Sequence, residues 1–166
     1  WSMALYGMDQ LENITISANE TYQTKDGALY TNGGKTLYFY PSKKAGEYTI
    51  PEGVTEIAND AFNGTNLTKL VIADSVTRIG EYAFSNSNTL QTIVFGKGIK
   101  VISRCCCSGN TALTTVTIPE GVTTVENEAF VLCPALKEVT LPRSVTSEDN
   151  AFPANTNVTR LNPKME

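Results

Sequence analysis

The chain has 166 residues, of which 41% are hydrophobic and 18% charged, so it can form a packed core and the composition argues against general disorder. A net charge of −4 argues against nucleic-acid binding, which needs a basic surface, and no apolar run approaches the roughly 20 residues of a membrane helix. Histidine is absent, which excludes His general bases, Ser-His-Asp and Cys-His nucleophile systems, and most His-ligated metal sites. We expect no cofactor and no membrane insertion.

The first segment of the chain has the pattern of the last part of a repeat. Ala4-Leu5 precede Leu11 by six residues, and Ile14 and Ile16 continue with the alternation of a half-buried strand. We therefore expect the chain to be a piece of a longer repeat array, with any signal peptide absent or already removed.

Residues 17–44 interrupt this pattern and carry two turn signals, Asp26-Gly27 and Asn32-Gly33-Gly34. They predict an antiparallel meander inserted at the side or end of the repeats. Four tyrosines fall in this segment: Tyr22, Tyr30, Tyr38 and Tyr40. Either they pack the small sheet against the first repeats, or they form an exposed aromatic platform that binds carbohydrate or protein.

The rest of the chain repeats one motif: Leu-x-x-Ile-x-Ile, a turn, Val-x-x-Ile, and then Ala-Phe. Its leading positions 67, 90, 113 and 136 are 23 residues apart each time, a regularity that chance does not maintain. The alternating apolar residues predict half-buried strands, and one repeat cannot close a core without its neighbours. We therefore predict a mainly-β, right-handed solenoid with an inserted N-terminal β-hairpin module. The Phe of each motif would form an aromatic column inside it: Phe62, Phe84, Phe130 and Phe152.

Residues 113–130 carry the motif most completely, and residues 26–30 and 37–41 carry the hairpin pattern. On these residues the chain resembles the BspA-like leucine-rich repeat family of bacterial cell-surface and secreted proteins. The resemblance implies a leucine-rich-repeat solenoid. Residues 1–47 would hold a partial repeat with the hairpin module, and residues 48–166 one continuous array of repeats.

The resemblance also implies a non-catalytic role in protein binding or adhesion, in a bacterial protein that is secreted or lies at the cell surface. The partner would be a surface or matrix protein of a host or neighbouring cell. A structural spacer in a larger surface protein is the main alternative, and a carbohydrate-active solenoid enzyme is the third. Such an enzyme needs two carboxylates about 5–10 Å apart, whereas Glu47 and Glu138 should lie four strands apart.

The outward positions of the strands form the candidate binding face of the solenoid. One column of that face contains Lys69, Thr92, Thr115, Glu138 and Arg160. Glu47 should pair with Lys69, and Glu138 with Arg160, each pair contributing about 0.2–1 kcal/mol. A solvated β-face selected for threonine propensity is the alternative to a protein or glycan docking face.

The four cysteines do not form the pattern of a disulfide scaffold, because Cys105, Cys106 and Cys107 are consecutive. Cys106-Cys107 replace the Ala-Phe of the motif, so both should be buried, and Cys133 should also be interior. Cys105 falls in an outward register. Structural thiols are favoured over metal or redox roles, because the chain has no Cys-x-x-Cys spacing.

The end of the array should remain open. Val158 and Leu161 begin another strand, and no cap follows it in the pattern. An uncapped strand edge can pair with another chain, so end-to-end self-association is a further expectation.

Overall fold

The computed structural model describes residues 10–17, 21–147 and 150–161, and within them the chain forms short β-strands and a single 3₁₀ turn but no α-helix. The strands are β1 Tyr22–Lys25, β2 Ala28–Thr31, β3 Thr36–Phe39, β4 Ala45–Thr49, β5 Glu56–Ile57, β6 Asn66–Val71, β7 Arg78–Ile79, β8 Thr92–Val94, β9 Val101–Ile102, β10 Thr115–Thr117, β11 Thr124–Val125, β12 Glu138–Leu141, β13 Thr146–Ser147 and β14 Asn157–Arg160. The predicted mainly-β solenoid is confirmed.

Each coil of the solenoid contributes one strand to each of two faces. On the first face β4, β6, β8 and β10 pair in parallel in that order, and β12 pairs in parallel with β14. On the second face β5 and β7 pair in parallel, as do β9, β11 and β13. We number the coils by their leading positions: coil 1 is 45–66, coil 2 is 67–89, coil 3 is 90–112, coil 4 is 113–135 and coil 5 is 136–155.

The core is built from columns of equivalent apolar residues. The four leading leucines are at most 1% exposed: Leu67, Leu90, Leu113 and Leu136. In β10 the inward Val116 lies between the exposed Thr115 and Thr117, the alternation expected of a half-buried strand. Burying each leucine contributes roughly 1.5–3 kcal/mol. Since every column needs the next coil to cover it, this burial holds the coils together.

The turns that follow the second-face strands also stack on one another. The backbone N–H of Phe62 donates to Ala83 O at 2.7 Å, and that of Phe84 donates to Cys106 O at 2.7 Å. Cys107 and Phe130 continue the series with N–H groups bonded to the next coil. These bonds place the predicted aromatic column inside the molecule, although Phe152 in the last coil is only half-buried.

The aromatic column has a gap at Cys107, and Phe95 fills it. Phe62 and Phe84 have ring centroids 5.7 Å apart, and Phe130 and Phe152 are stacked at 5.2 Å. Between these pairs the Phe95 ring lies 6.4 Å from Phe84 and 6.5 Å from Phe130. Phe95 belongs to the same coil as Cys107, so the coil keeps one aromatic ring in the core and changes only its position.

A ladder of buried polar side chains runs beside the aromatic column, one in each of coils 1 to 4: Thr65, Ser87, Asn110 and Cys133. Ser87 N–H donates to Asn110 Oδ1 at 2.8 Å, and Asn110 Nδ2 donates to the carbonyls of Phe84 and Cys107 at 2.9 and 3.0 Å. The Cys133 thiol donates to Cys107 O at 3.1 Å. These bonds satisfy backbone groups that the turns would otherwise bury without a partner.

The predicted meander is formed by β1, β2 and β3, which pair antiparallel. β3 also pairs in parallel with β5, so the meander extends the second face of the solenoid at its N-terminal end. Gly27 supplies the positive φ of +76° that the tight turn between β1 and β2 requires. The predicted domain boundary between residues 47 and 48 falls inside β4 and stays a prediction.

The expected strand around Leu11, Ile14 and Ile16 is wrong. Residues 11–17 form no strand, because the Ile14 N–H is bonded to Gly27 O in the meander turn, at 3.0 Å, rather than to a neighbouring coil. The expectation for Ala4-Leu5 lies outside the described residues.

Candidate binding surfaces

The strand face consists of the outward side chains of β4, β6, β8, β10 and β12. Its first column contains Glu47, Lys69, Thr92, Thr115 and Glu138, and its second contains Thr49, Val71, Val94, Thr117 and Thr140. In β4 to β10 the columns are in register: Glu47 lies opposite Lys69, Lys69 opposite Thr92, and Thr92 opposite Thr115. The predicted Glu47–Lys69 ion pair is present, with Nζ 3.3 Å from Oε2.

Arg160 does not belong to this face, and its predicted pairing with Glu138 is wrong. Glu138 lies opposite Asn157, and Arg160 lies opposite Leu141 and donates a hydrogen bond to Val145 O. The physical reason is a shorter turn. Val158 follows its partner Val139 by 19 residues, whereas the motif repeats every 23.

The strand face is polar. Among the described residues the large exposed hydrophobic side chains are Tyr82, Leu132, Val158 and Leu161, and none of them lies in its two columns. Val71 and Val94 are half-buried between threonines and charged neighbours. An exposed apolar patch therefore has to be sought elsewhere on the molecule.

The four tyrosines of the meander divide into two buried and two partly exposed residues. Tyr30 and Tyr40 are 2% and 3% exposed. Tyr40 stacks on Phe62 at 4.8 Å, and burial raises the pKa of Tyr40 to about 12. An exposed platform of four tyrosines is therefore excluded, because Tyr40 occupies the aromatic column and continues it into the meander.

The other two meander tyrosines stay near the surface. Tyr22 and Tyr38 meet edge to face with ring centroids 6.4 Å apart, and both are half-buried. On the inner side, the Tyr30 hydroxyl is 3.0 Å from that of Tyr48 and ties the meander to coil 1. Packing against the first repeats thus accounts for Tyr30 and Tyr40.

An apolar pocket that the sequence patterns did not indicate lies on the turns of coils 2 to 5. It has a volume of about 670 Å³, and its walls include Val131, Leu132, Pro134, Pro153 and Ala154. Leu132 is 70% exposed and has a positive φ of 59°. One signal in the sequence could have revealed it: Leu132 stands where the preceding coils have Gly109, Asn86 and Gly64.

The repeats match a known sequence family. The pattern of the BspA type leucine-rich repeat region matches residues 35–159 in six copies. The chain belongs to the BspA-type leucine-rich repeat family. No curated protein is similar enough in sequence to count as a match.

Solved structures agree with this BspA-type assignment. A leucine-rich cell surface protein from Faecalibacterium prausnitzii is 32% identical with a TM-score of 0.86, covering 94% of this chain and 43% of that one. A leucine-rich repeat protein from Bacteroides ovatus is 29% identical with a TM-score of 0.65, covering 89% and 41%. The chain thus spans less than half the length of these two proteins.

The coil that departs from the BspA-type Ala-Phe motif holds most of the cysteines, and all four thiols are free. Cys106, Cys107 and Cys133 are fully buried, as predicted, with the Sγ atoms of Cys106 and Cys107 3.5 Å apart. Burial raises the pKa of Cys107 and raises that of Cys133 to about 11. Such thiols are poor nucleophiles at neutral pH.

Cys105 lies in the predicted outward register, outside the core cluster. It is nevertheless only 4% exposed, because the side chains of the neighbouring coils cover it. Its Sγ is 3.5 Å from Glu128 Oε2, and it hydrogen-bonds with Tyr82. Tyr82, Cys105 and Glu128 occupy equivalent positions in coils 2, 3 and 4, and each has a positive φ.

Arg104 contacts two carboxylates in the turn of the next coil. Its backbone N–H donates to Glu126 Oε2 at 2.8 Å, and its guanidinium is 3.3 Å from Glu128 Oε2. In the described part of the chain no three His, Cys, Asp or Glu side chains are arranged to hold a metal ion. Nor do residues 10–17, 21–147 and 150–161 include a helix that could cross a membrane.

Proposed function

We propose that this chain is a non-catalytic protein-binding module of a bacterial protein that is secreted or held at the cell surface. The proposal is supported by the BspA-type repeats and by a similar protein, 32% identical, that is a cell surface protein. The partner we propose is a surface or matrix protein of a host or neighbouring cell. The binding site we propose is the strand face.

The observation that carries the proposal is the regular, uncovered arrangement of polar groups on the strand face. Thr115, Thr117 and Thr140 are exposed, and their side chains project from adjacent strands. A β-branched side chain on a strand has few rotamers to lose, so binding to such a surface costs little conformational entropy. The Glu47–Lys69 pair and Glu138 add charges that can fix the orientation of a partner.

The test exchanges the charges of one ion pair without removing it. In the variant E47K/K69E the two side chains can still pair, so folding should be preserved while the local charge pattern is inverted. The partner is first found by screening the chain against purified matrix proteins. We expect the affinity of E47K/K69E for that partner to be about tenfold lower, because the charges at the edge of the interface are reversed.

The matched control is the same exchange on the second face, E56R/R78E, where Arg78 is 3.5 Å from Glu56. This variant should bind like the wild type. Equal binding by E47K/K69E and wild type would contradict the strand face as the site. A screen in which no matrix protein binds would contradict the proposal and support a spacer function instead.

A further inference from the structure

The position two residues after the aromatic column has a left-handed backbone in four successive coils. The φ values are +70° at Gly64, +57° at Asn86, +74° at Gly109 and +59° at Leu132. Glycine adopts this conformation without steric cost and asparagine tolerates it, whereas a leucine there is strained. Coil 4 therefore carries a residue that its own backbone disfavours.

Burial does not compensate for this strain. The Leu132 side chain is 70% exposed, the largest exposed fraction among the large hydrophobic residues that the structure describes. An exposed leucine in a strained conformation stabilises neither the turn nor the core, and such outliers concentrate at functional sites. A role in binding explains both its exposure and its conformation.

The pocket beside Leu132 has the properties of a site for an apolar group. Val131, Pro134, Pro153 and Ala154 form its other apolar walls, and the two prolines restrict the backbone of coils 4 and 5. None of the side chains lining it is charged. A charged group that entered would lose water without gaining a counter-ion, so the pocket selects against ions.

The polar groups of the pocket are neutral as well. Asn86, Thr111 and Asn155 line it together with the apolar walls. Asn86 and Thr111 already donate hydrogen bonds to Asn63 and Asn88, but their side-chain oxygens can still accept hydrogen bonds from the N–H groups of an extended peptide backbone. The lining therefore matches one uncharged, apolar side chain together with the peptide groups on either side of it.

We propose that this pocket is the anchor site for an uncharged apolar side chain on an extended segment of a protein partner. The inference rests on the proposed function in protein binding and adds a second contact, because the strand face offers no large apolar group. Interfaces of this kind combine a polar surface with a few apolar anchors that supply most of the affinity.

The test selects peptides from a displayed random library on the wild-type chain and measures their affinities for Leu132→Asn. Asparagine occupies the equivalent position in coil 2, so the variant relieves the strain and removes the apolar wall. We expect the selected peptides to share a central Leu, Ile, Met or Phe and to bind L132N at least tenfold more weakly. The same variant should melt about 2–4 °C higher than wild type.

The matched control is Gly64→Leu, which places the same strained leucine in coil 1, three coils from Leu132 and at a residue that does not line the pocket. A Cβ added at Gly64 meets no atom within 4 Å, so the change tests backbone strain alone. G64L should melt lower than wild type and bind the peptides with unchanged affinity. Together the two variants separate strain from binding.

Four outcomes would overturn the inference: no selected peptides, peptides whose shared residue is charged, equal binding by L132N and wild type, or a lower melting temperature for L132N. Binding of 1-octanol that depends on Leu132, without any peptide binding, would also overturn it and indicate a lipid-like ligand. Peptides sensitive to E47K/K69E but not to L132N would support the strand face while rejecting the pocket.

Discussion

Coils 3 and 4 fill the same cross-section of the solenoid with different residues. Coil 4 has Ile118 after its first-face strand and Phe130 in the turn, whereas coil 3 has Phe95 and Cys107 at the equivalent positions. All four are buried, and Phe95 packs between the rings of Phe84 and Phe130. Coils 3 and 4 therefore each supply one aromatic ring to the core, from two different positions of the repeat.

The same two coils also differ in the polar ladder. Asn110 of coil 3 bonds two carbonyls and one N–H, whereas Cys133 of coil 4 donates one hydrogen bond to the Cys107 carbonyl inside the molecule. Two of the Asn110 bonds, to Ser87 and Phe84, connect coil 3 to coil 2, and the bond to Cys107 lies within coil 3. Coil 4 has a weaker thiol contact at this position, since S–H is a poor donor.

The largest expected effect is that of Asn110→Ala. The substitution leaves the Ser87 N–H and the Phe84 carbonyl without a side-chain partner in a buried turn, and leaves the Cys107 carbonyl with the Cys133 thiol alone. Each such group costs about 1–3 kcal/mol, so we expect the free energy of unfolding to fall by about 3 kcal/mol or more. Urea denaturation followed by circular dichroism would measure it.

The control is Asn88→Ala, which makes the same change at an exposed position of coil 2, where the side chain accepts a single hydrogen bond from Thr111. Its effect should stay within about 0.5 kcal/mol. If N110A cost no more than N88A, the polar ladder would not connect the coils as proposed.

The second prediction tests the exchange of Phe95 and Cys107. Phe95→Ile should cost about 1–2 kcal/mol through a cavity, and Cys107→Phe about 1–3 kcal/mol through overpacking. The double variant gives coil 3 the arrangement of coil 4. Its cost in urea denaturation should therefore be smaller than the sum of the single costs by at least about 1 kcal/mol.

A control double-mutant cycle uses Phe62, a ring farther from Cys107, in place of Phe95. Phe62 contacts Phe84 rather than Cys107, so Phe62→Ile and Cys107→Phe should add to within about 0.5 kcal/mol. Additive costs for F95I and C107F would show instead that the two positions do not share one volume.

Features that depend on the 23-residue period could be predicted from the sequence. The interior burial of Phe84, Cys106 and Cys107 was correct because each follows from counting along the repeat and from the need of each coil to cover the next. The Glu47–Lys69 pair follows from the same register. These features require no knowledge of how the turns are shaped.

Features that depend on the length of a turn or on how far a side chain reaches could not be predicted from the sequence. The turn that contains Pro153 shortens coil 5, so Arg160 loses the register on which its pairing with Glu138 depended. Cys105 points outward as its register requires, but the larger side chains of Tyr82 and Glu128 reach across and cover it. The exceptional Leu132 can be found by comparing the repeats, but the shape of its pocket cannot, because the pocket is formed by residues of four coils.

The smallest predicted effect concerns the thiol that coil 4 places where coil 3 has an amide. Burial raises the pKa of Cys133 from about 9 to about 11. Between these two values the unfolded chain loses the proton while the folded chain keeps it, so the free energy of unfolding falls as the pH rises through this window. The contribution of one thiol approaches roughly 1 kcal/mol per pH unit.

Urea denaturation of the wild type and of Cys133→Ser at pH 8, 9 and 10 would isolate this contribution, because all other titrating groups are common to the two chains. Serine does not ionise in this range, so C133S should lose less stability between pH 9 and 10 than the wild type, whatever its stability at pH 8. Asn88→Ala changes a surface residue far from the buried thiols, so its free energy of unfolding should depend on pH as that of the wild type does. Identical slopes for C133S and wild type would mean that the Cys133 thiol ionises as readily in the folded coil as in the unfolded chain.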